Sequence, residues 1–450
     1  MKPLRWSLLT LILSLAGGEH ANANATESTN FTDWLSNGDV SGDVRAYNFS
    51  RDYAGTNSNS GPPKFLDNNA FSVGGKVKLE TASWDGISAA AALYSAYDVG
   101  LNNYTRVPGY PASYNQPYLY SALMGNNPTL NTLGEAYLQY QQSGFMIRGG
   151  NELINNPWVS SSDGFMIPNL FEGVSTQISL GSTGAQLSID RIFQYKQRTD
   201  AAFSPSSIAV LPYDKLSYLP QYASGQSGGA TDAGVTYADK KLNLAAWLYQ
   251  WNNLAQMTYL EGGYNPNFAG RTWFAEGQYV NETSDGNAEV GHINAQVYGL
   301  KLGMNLDHHL GNVFVAYNLL PSTGAINVTG TPPTVYNGNL FSPYTQIYNT
   351  DPLYTTVMNY GLVSARAPGS AWMLGGTLHP VAQMDLIPTV SEYYTEAGIA
   401  PVRAYMLDAT WHFSGTLKAL SIRNRLGIEH DVPLLGSSFV ENRFMLQYNF

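Results

Sequence analysis

Phe71-Ser-Val-Gly-Gly-Lys-Val-Lys-Leu-Glu80 alternates strictly between two kinds of residue. The odd-numbered positions from Phe71 to Leu79 are apolar or glycine, and the even-numbered positions from Ser72 to Glu80 are glycine, polar or charged. A period of two residues belongs to a β-strand whose two faces meet different surroundings, because successive side chains of a strand point to opposite sides. The same alternation returns at 174–180 and 420–428.

Runs of this kind fill the chain and predict about 18 strands, an even number within the range of single-chain outer-membrane barrels. The fold class is therefore all-β, as a transmembrane antiparallel β-barrel. The strands are expected near 40–50, 71–81, 87–97, 133–142, 144–150, 172–181, 184–194, 231–239, 241–251, 255–263, 271–281, 294–306, 312–320, 369–379, 383–391, 402–413, 419–429 and 440–450.

The composition fits strands that show one face to lipid and the other to water. Charged residues make up 12% of the chain, about half the usual quarter, whereas it holds 31 tyrosines and 44 glycines. A net charge of −10 makes nucleic acid an unfavourable partner. The chain has no cysteine, so disulfides do not stabilise it.

The first residues predict export. Lys2 and Arg5 precede an uncharged apolar run, and small residues at 21–23 offer a cleavage site, although cleavage after Ala25 fits equally well. We therefore expect a signal peptide at 1–23, a short periplasmic segment at 24–38 and a barrel at 39–450.

Short turns alternate with long polar loops at about 51–69, 98–131, 151–171, 195–230 and 321–368. This asymmetry is typical of outer-membrane barrels, whose outer loops are long. The run 354–363 also resembles a strand. Counting it would make the total odd and place later turns on the wrong side, so it is assigned to the last long loop.

The C-terminus ends in an amphipathic strand. Phe444, Leu446, Tyr448 and the terminal Phe450 alternate with less apolar residues. Any edge strand can end in phenylalanine, but together with the export signal this ending predicts recognition by the barrel-assembly machinery through Phe450.

Four stretches resemble the OprD-type substrate-selective porins. They are 40–52, 133–150 with Leu133-Gly-Glu-Ala-Tyr137 and Arg148-Gly-Gly150, Ile167-Pro-Asn-Leu-Phe-Glu-Gly173, and 417–425 together with Glu441-Asn-Arg443. They span nearly the whole exported chain. The third is the most specific, since Pro-Asn-x-Phe-Glu-Gly is not a general barrel pattern.

The resemblance implies an 18-stranded barrel whose third and seventh outer loops fold into the pore, here about 151–171 and 321–368. It also implies a ladder of basic residues that guides carboxylate-bearing solutes. This sequence departs from the family at one point, because Gly164 and Phe165 follow Asp163 where members commonly have Ser-Arg. A constriction arginine is therefore missing from the loop, which leaves carboxylate selectivity open.

Strand parity indicates which basic residues face the lumen, because an arginine on the lipid face at mid-membrane costs about 2–4 kcal/mol. The set either attracts anionic groups of a solute or pairs with lumenal acids such as Glu80, Glu135 and Glu441 to brace the wall. The direction of one member, Arg45, stays open, since it shares a face with two aromatic residues. The predicted basic track consists of Arg45, Lys76, Lys78, Arg148, Arg423, Arg425 and Arg443.

The predicted constriction loop contributes Ser162, Asp163 and Phe165. Asp163 either contacts a cationic or hydroxylated group of the solute or serves as a turn residue before glycine. No catalytic, metal or cofactor site is predicted. The histidines are scattered, and the adjacent pair His308-His309 would point in opposite directions on a strand.

The sequence thus predicts a pore of the bacterial outer membrane that is not an enzyme. It would pass small polar organic solutes, such as carboxylates or amino acids, passively and with moderate selectivity, with membrane lipid as its surroundings and as a monomer or a loose homo-oligomer. Two alternatives stay open: an outer-membrane barrel enzyme of lipase or protease type, and a secreted glycan-binding β protein suggested by the aromatic content.

Overall fold

The protein is described here by a computed structural model that covers residues 30–54, 68–102, 121–124, 128–204, 228–288, 292–306, 310–326, 335–396, 400–432 and 437–450. The predicted signal peptide and His308-His309 lie outside these residues. No helix in the covered ranges is long and apolar enough to cross a membrane.

Eighteen long strands form one closed antiparallel barrel. Each strand pairs with the next in sequence, and the first pairs with the last. They are β1 Asp39–Ala54, β2 Asn68–Glu80, β3 Ile87–Tyr97, β4 Thr129–Gln142, β5 Phe145–Glu152, β6 Leu170–Ser179, β7 Ala185–Lys196, β8 Ala230–Ala238, β9 Leu242–Trp251, β10 Ala255–Tyr264, β11 Arg271–Ser284, β12 Asn294–Asn305, β13 Gly311–Leu320, β14 Gly369–Val381, β15 Met384–Thr395, β16 Val402–His412, β17 Leu420–Val432 and β18 Ser437–Asn449.

These strands confirm the predicted barrel strand by strand. Closure leaves no unpaired sheet edge, which a membrane requires because lipid offers the backbone no hydrogen bonds. The run 354–363 is not a strand, since it contains turns and begins a short helix at Leu362–Ala365. Its place inside the last long loop is confirmed.

The outer surface carries an apolar band between two rows of aromatic residues. The band is built from exposed side chains such as Val77, Leu93, Leu300 and Leu374. Tyr140, Tyr264, Trp273, Trp411 and Tyr448 follow the short-turn end, and Tyr97, Phe193, Tyr298, Tyr317, Trp372, Tyr394 and Tyr405 follow the long-loop end. An apolar band with aromatic girdles is the lipid-facing surface of a transmembrane barrel, and it excludes a soluble secreted protein.

Shorter elements flank the barrel. The helix Phe31–Ser36 lies at the short-turn end, where Trp34 Nε1 donates to the Ile87 carbonyl at 3.0 Å. Short hairpins form between Asn155–Asn156 and Val159–Ser160, and between Gly324–Ile326 and Val335–Asn337.

The apolar core lies inside the barrel. Trp158 of the β5–β6 loop and Tyr344, Leu353 and Leu362 of the β13–β14 loop are buried against inward aromatic residues such as Trp251. These two loops are the predicted third and seventh, and both fold inward as expected. One apolar cluster joins the two loops to Trp251 of β9, and a second joins the loop residues Phe165 and Met166 to Tyr47 and Phe49 of β1.

Candidate functional site: the pore constriction

The β5–β6 loop, residues 153–169, is anchored to the barrel wall through Asn156. The Asn156 amide donates to Asp190 on β7 at 3.2 Å and to Asp232 on β8 at 3.0 Å. Its oxygen accepts from the Tyr249 hydroxyl at 3.1 Å. Asp190 and Asp232 lie directly opposite each other in register, so one amide ties the loop to both strands.

The tip of this loop is held by Arg45. Ser162 adopts a left-handed φ of 48°, which turns the chain sharply before Asp163. Arg45 Nη1 and Nη2 donate to the two Asp163 carboxylate oxygens at 2.5 and 2.8 Å, and Nη1 also donates to the Phe165 carbonyl at 2.7 Å. Such a two-pronged pair fixes orientation as well as distance.

The structure settles the direction of Arg45, which parity had left open. The side chain points into the lumen and is only 4% exposed. Its aromatic neighbour Tyr47 also points inward, where the ring stacks on Phe165 with centroids 5.7 Å apart. Inward aromatic residues are tolerated on β1 because the loop tip, rather than water, covers them.

The Asp163 carboxylate remains accessible from the pore. Its side chain is 34% exposed although the residue lies near the centre of the molecule. Burial by the surrounding protein raises the pKa of Asp163, but the Arg45 guanidinium lowers it more, and the net result is a pKa below the usual range. Asp163 is therefore ionised at neutral pH.

Arg198 brings a guanidinium to the loop that lacks its own arginine. It follows β7 and lies 4.0 Å from the Phe165 ring centroid and 3.6 Å from that of Tyr348. Its Nη2 donates to the Ser162 carbonyl at 3.1 Å and to the Ser162 hydroxyl. One planar cation thus joins three loops, with ring faces as its partners. Sequence reasoning missed Arg198, because no pattern relates it to loop 3.

Three of the predicted basic residues meet beside the tip of the β5–β6 loop, where they line one small cavity in the lumen. Arg423, Arg425 and Arg443 line it together with Gly164, Tyr47 and Met445, and the cavity that they enclose is about 10 Å³, close to the volume that one water needs. A Cβ on Gly164 would lie 3.4 Å from the Arg425 guanidinium. The loop backbone at Gly164 thus lies within one side-chain contact of Arg425.

Arg423, Arg425 and Arg443 differ in their hydrogen-bond partners and in how exposed they are. Arg423 binds both oxygens of Asp408, at 2.8 and 2.5 Å, yet stays 32% exposed. Arg425 lies 3.2 Å from Asp408 and is 18% exposed. Arg443 is nearly buried between Glu441 and Asn359. Two guanidinium groups thus share one carboxylate, which leaves positive charge facing the passage.

The remaining basic residues lie apart from this group. Lys78 lies 3.0 Å from Glu80. Arg148 Nη2 donates to the side-chain oxygen of Gln139 at 2.6 Å. Both approach the Tyr137 ring, at 5.5 and 4.1 Å. They form a second cluster on β2, β4 and β5. Lys76 is buried on β2 opposite Asp43 in register.

The β13–β14 loop completes the constriction. The Tyr354 hydroxyl donates to Glu261 at 3.1 Å, and the Thr355 backbone donates to Asn318 at 3.0 Å. Val159 forms a parallel bridge with Tyr344, which connects the two inward loops directly. Within the described ranges, no three metal-ligating side chains lie close enough together to hold an ion.

Solved porins share this architecture. The chain superposes on OpdK of Pseudomonas aeruginosa, solved with vanillate, with a TM-score of 0.68 at 14% identity, covering 93% of this chain and 99% of the other. OccK2 (OpdF) of Pseudomonas aeruginosa, in complex with glucuronate, gives 0.68 at 13% identity, with the same two coverages of 93% and 99%.

A BenF-like porin of Pseudomonas fluorescens Pf-5 gives a TM-score of 0.69 at 14% identity, again covering 93% and 99%. No protein-family model matches the sequence, and no curated protein does. The predicted resemblance to OprD-type porins is confirmed for the fold, and the solved neighbours are channels rather than enzymes.

Proposed function

We propose that this barrel is a porin of the bacterial outer membrane, through which small polar organic solutes, above all carboxylates and amino acids, diffuse passively and with moderate selectivity. The observation that carries the proposal is that Arg423, Arg425 and Arg443 converge in the lumen on one small cavity beside the tip of the inward loop. A solute that passes these side chains loses water, and guanidinium groups replace part of the hydration of an anionic group.

Asp163 adds the opposite charge to the same constriction. Its accessible carboxylate belongs to the loop whose Gly164 faces Arg425. An amino acid carries both an ammonium and a carboxylate, so a constriction with both signs suits it. A simple carboxylate would use the arginines alone.

The solved neighbours support this class of solute. OpdK was solved with vanillate and OccK2 with glucuronate, and each of these molecules carries a carboxylate. Outer-membrane location is supported by the lipid-facing band and by the long loops at one end. A barrel lipase or protease would require serine, histidine and acid side chains that converge at the rim. Among the described residues, two serine–histidine contacts lie there, Ser284 with His292 at 3.3 Å and Ser438 with His430 at 3.2 Å, and no carboxylate is hydrogen-bonded to either histidine.

Planar bilayers test the proposal. The refolded protein should give discrete conductance steps, and neutralising Arg423, Arg425 and Arg443 together with glutamine should lower the anion over cation preference measured by reversal potential in a salt gradient. The matched control is Arg403→Gln, which removes the same charge from an outward side chain that pairs with Glu392. Liposome swelling with acids, sugars and amino acids identifies the solute.

Protein with native β content that gives no conductance steps would refute the channel. If channels form but the triple variant and Arg403→Gln both keep the original reversal potential, the arginines only brace the wall and carboxylate preference fails.

A further inference from the structure

A polar groove runs along the outside of the barrel at the long-loop ends of β8, β9, β10 and β11. Its volume is about 420 Å³, whereas the outside of a closed barrel is convex. Six of its lining residues carry outward hydroxyl or amide groups: Thr231, Gln250, Gln256, Thr258, Asn281 and Thr283. The outward Ala233 and Leu248 add apolar surface, and Asp232, Tyr249 and Met257, which are buried on the lumenal side, complete the lining.

The strand register places these residues in two adjacent rows. Thr231 lies opposite Gln250, which lies opposite Gln256, and Gln256 lies opposite Thr283. Leu248, Thr258 and Asn281 form the row below. The groove is therefore a regular surface that crosses four strands.

The groove lies at the level of lipid headgroups. Along β11, Asn281 and Thr283 follow Tyr279, whose ring lies 5.4 Å from that of Tyr298 in the upper aromatic row. Aromatic rows mark the boundary between acyl chains and headgroups. Asn281 and Thr283, the next two outward residues of β11 beyond that row, therefore meet the headgroups of the outer leaflet.

A single carboxylate fixes the upper row. Asp285 accepts from Gln256 Nε2 at 2.7 Å, from Gln250 Nε2 at 3.4 Å and from the Asn253 backbone at 3.1 Å. Because both amides are held through their nitrogens, their carbonyl oxygens keep acceptor capacity. The site is thus oriented before any ligand arrives, which lowers the entropic cost of binding.

Other parts of the same rim have different chemistry. On β14, β15 and β16, Trp372 and Arg403 both donate to the Glu392 carboxylate. Ionic and aromatic side chains occupy the positions there that hydroxyls and amides occupy on β8–β11. The groove therefore differs in side-chain chemistry from the rim at β14–β16.

We propose that this groove binds the sugar headgroup of an outer-leaflet glycolipid. A sugar hydroxyl both donates and accepts hydrogen bonds, as amides and hydroxyls do. The six outward polar side chains offer no cation to a phosphate, and the Asp285 carboxylate beside them is already bonded by two of their amides. Leu248, exposed in the lower row, meets the acyl end of the same lipid. The proposal rests on the outer-membrane location proposed above.

The test compares two matched double variants in nanodiscs that contain rough-type lipopolysaccharide and phosphatidylethanolamine. Asn281→Leu with Thr283→Val removes polar groups from the groove. Asn131→Leu with Thr129→Val makes the same replacements on outward, exposed positions of β4. Native mass spectrometry then counts the lipids of each kind that stay bound to a barrel.

The groove variant should lose glycolipid about tenfold, since two hydrogen bonds at roughly 0.7 kcal/mol each correspond to that ratio. The β4 variant and phosphatidylethanolamine binding should not change. Equal glycolipid retention by both variants would overturn the proposal, as would equal binding of both lipids by the wild type. If the groove variant instead loses a dimeric species, the occupant is a second copy of the chain.

Bilayer conductance of the same variants separates this proposal from the porin function. If the groove variant conducts normally but loses glycolipid, both the groove and the porin function are supported. If it conducts normally and retains glycolipid, the glycolipid proposal fails and the porin function stands.

Discussion

Replacing Asp163 with asparagine should make the pore more anion-selective. The substitution keeps the shape and one acceptor for Arg45 but removes the negative charge from the constriction. Arg45 keeps Asp43 as a partner at 2.7 Å, so the loop tip should stay in place. The Arg45 charge that Asp163 had balanced then acts on permeating ions.

The size of the effect follows from Coulomb's law. A unit charge about 6 Å from a permeating ion contributes roughly 0.7 kcal/mol in water, favourable for an anion and unfavourable for a cation. The two changes add to about 1.4 kcal/mol, which is tenfold in the permeability ratio. Screening at 0.1 M salt reduces this, so we expect an increase of about three- to tenfold.

Reversal potentials across a bilayer with a tenfold salt gradient measure that ratio. Glu392→Gln is the matched control, because it also removes a carboxylate paired with an arginine, at 2.9 Å, but on the outward surface. Its selectivity should equal that of the wild type.

The pH dependence gives a second readout. The pKa of Asp163 is below its usual value of about 3.9, so its ion pair persists above that value and is lost only as pH falls through the lowered pKa. The difference in selectivity between the wild type and Asp163→Asn should therefore stay the same from pH 8 to 5. An Asp163→Asn pore with unchanged selectivity, or a difference from the wild type that disappears near pH 6, would refute the reasoning.

Three further predictions concern the same constriction. Replacing Arg198 with leucine removes the cation between two aromatic rings and should give larger, noisier single-channel currents, and lysine should not restore the wild type because it lacks the planar group. Replacing Gly164 with leucine fills the space beside Arg425 and should at least halve the conductance. Burial raises the pKa of Asp351 to about 6. The free energy that stabilises the folded loop therefore falls by up to about 3 kcal/mol as pH rises from 4 through 6. In the Asp351→Asn variant, the backbone amides of 338–368 should therefore exchange more slowly than in the wild type at pH 8 but not at pH 5.

Each of these has an outcome that contradicts it. Wild-type currents from both Arg198 variants would mean that the loops hold without the clamp. Unchanged conductance in the Gly164→Leu variant would show that the narrowest point lies elsewhere. Equal exchange in the wild type and the Asp351→Asn variant at pH 8 would mean that the Asp351 charge does not destabilise the loop.

Strand parity was sufficient to predict the barrel. A lipid-facing side chain must be apolar, so each alternating run shows its own direction, and all 18 strands were found without tertiary information. The predicted strand ends are wrong beyond the lipid-facing band, where outward side chains need not be apolar. β4 begins at Thr129 rather than near 133, because its outward residues above the aromatic row are polar.

Parity also placed the basic residues in the lumen, but it did not separate those that meet at the constriction from those that brace the wall. Arg423 and Arg148 have the same sequence signature, yet only Arg423 lines the small cavity beside the loop tip. The strands fix the direction of a side chain, whereas the loops determine what it meets.

The sequence by itself determined the closed sheet and the inward direction of its charges, since the period of two and the demands of lipid act on neighbouring residues. Only the tertiary structure brought Arg45 to Asp163, 118 positions away in the chain, and Arg198 to Phe165. Loops inside a lumen obey no lipid rule, and their positions follow from packing against distant strands.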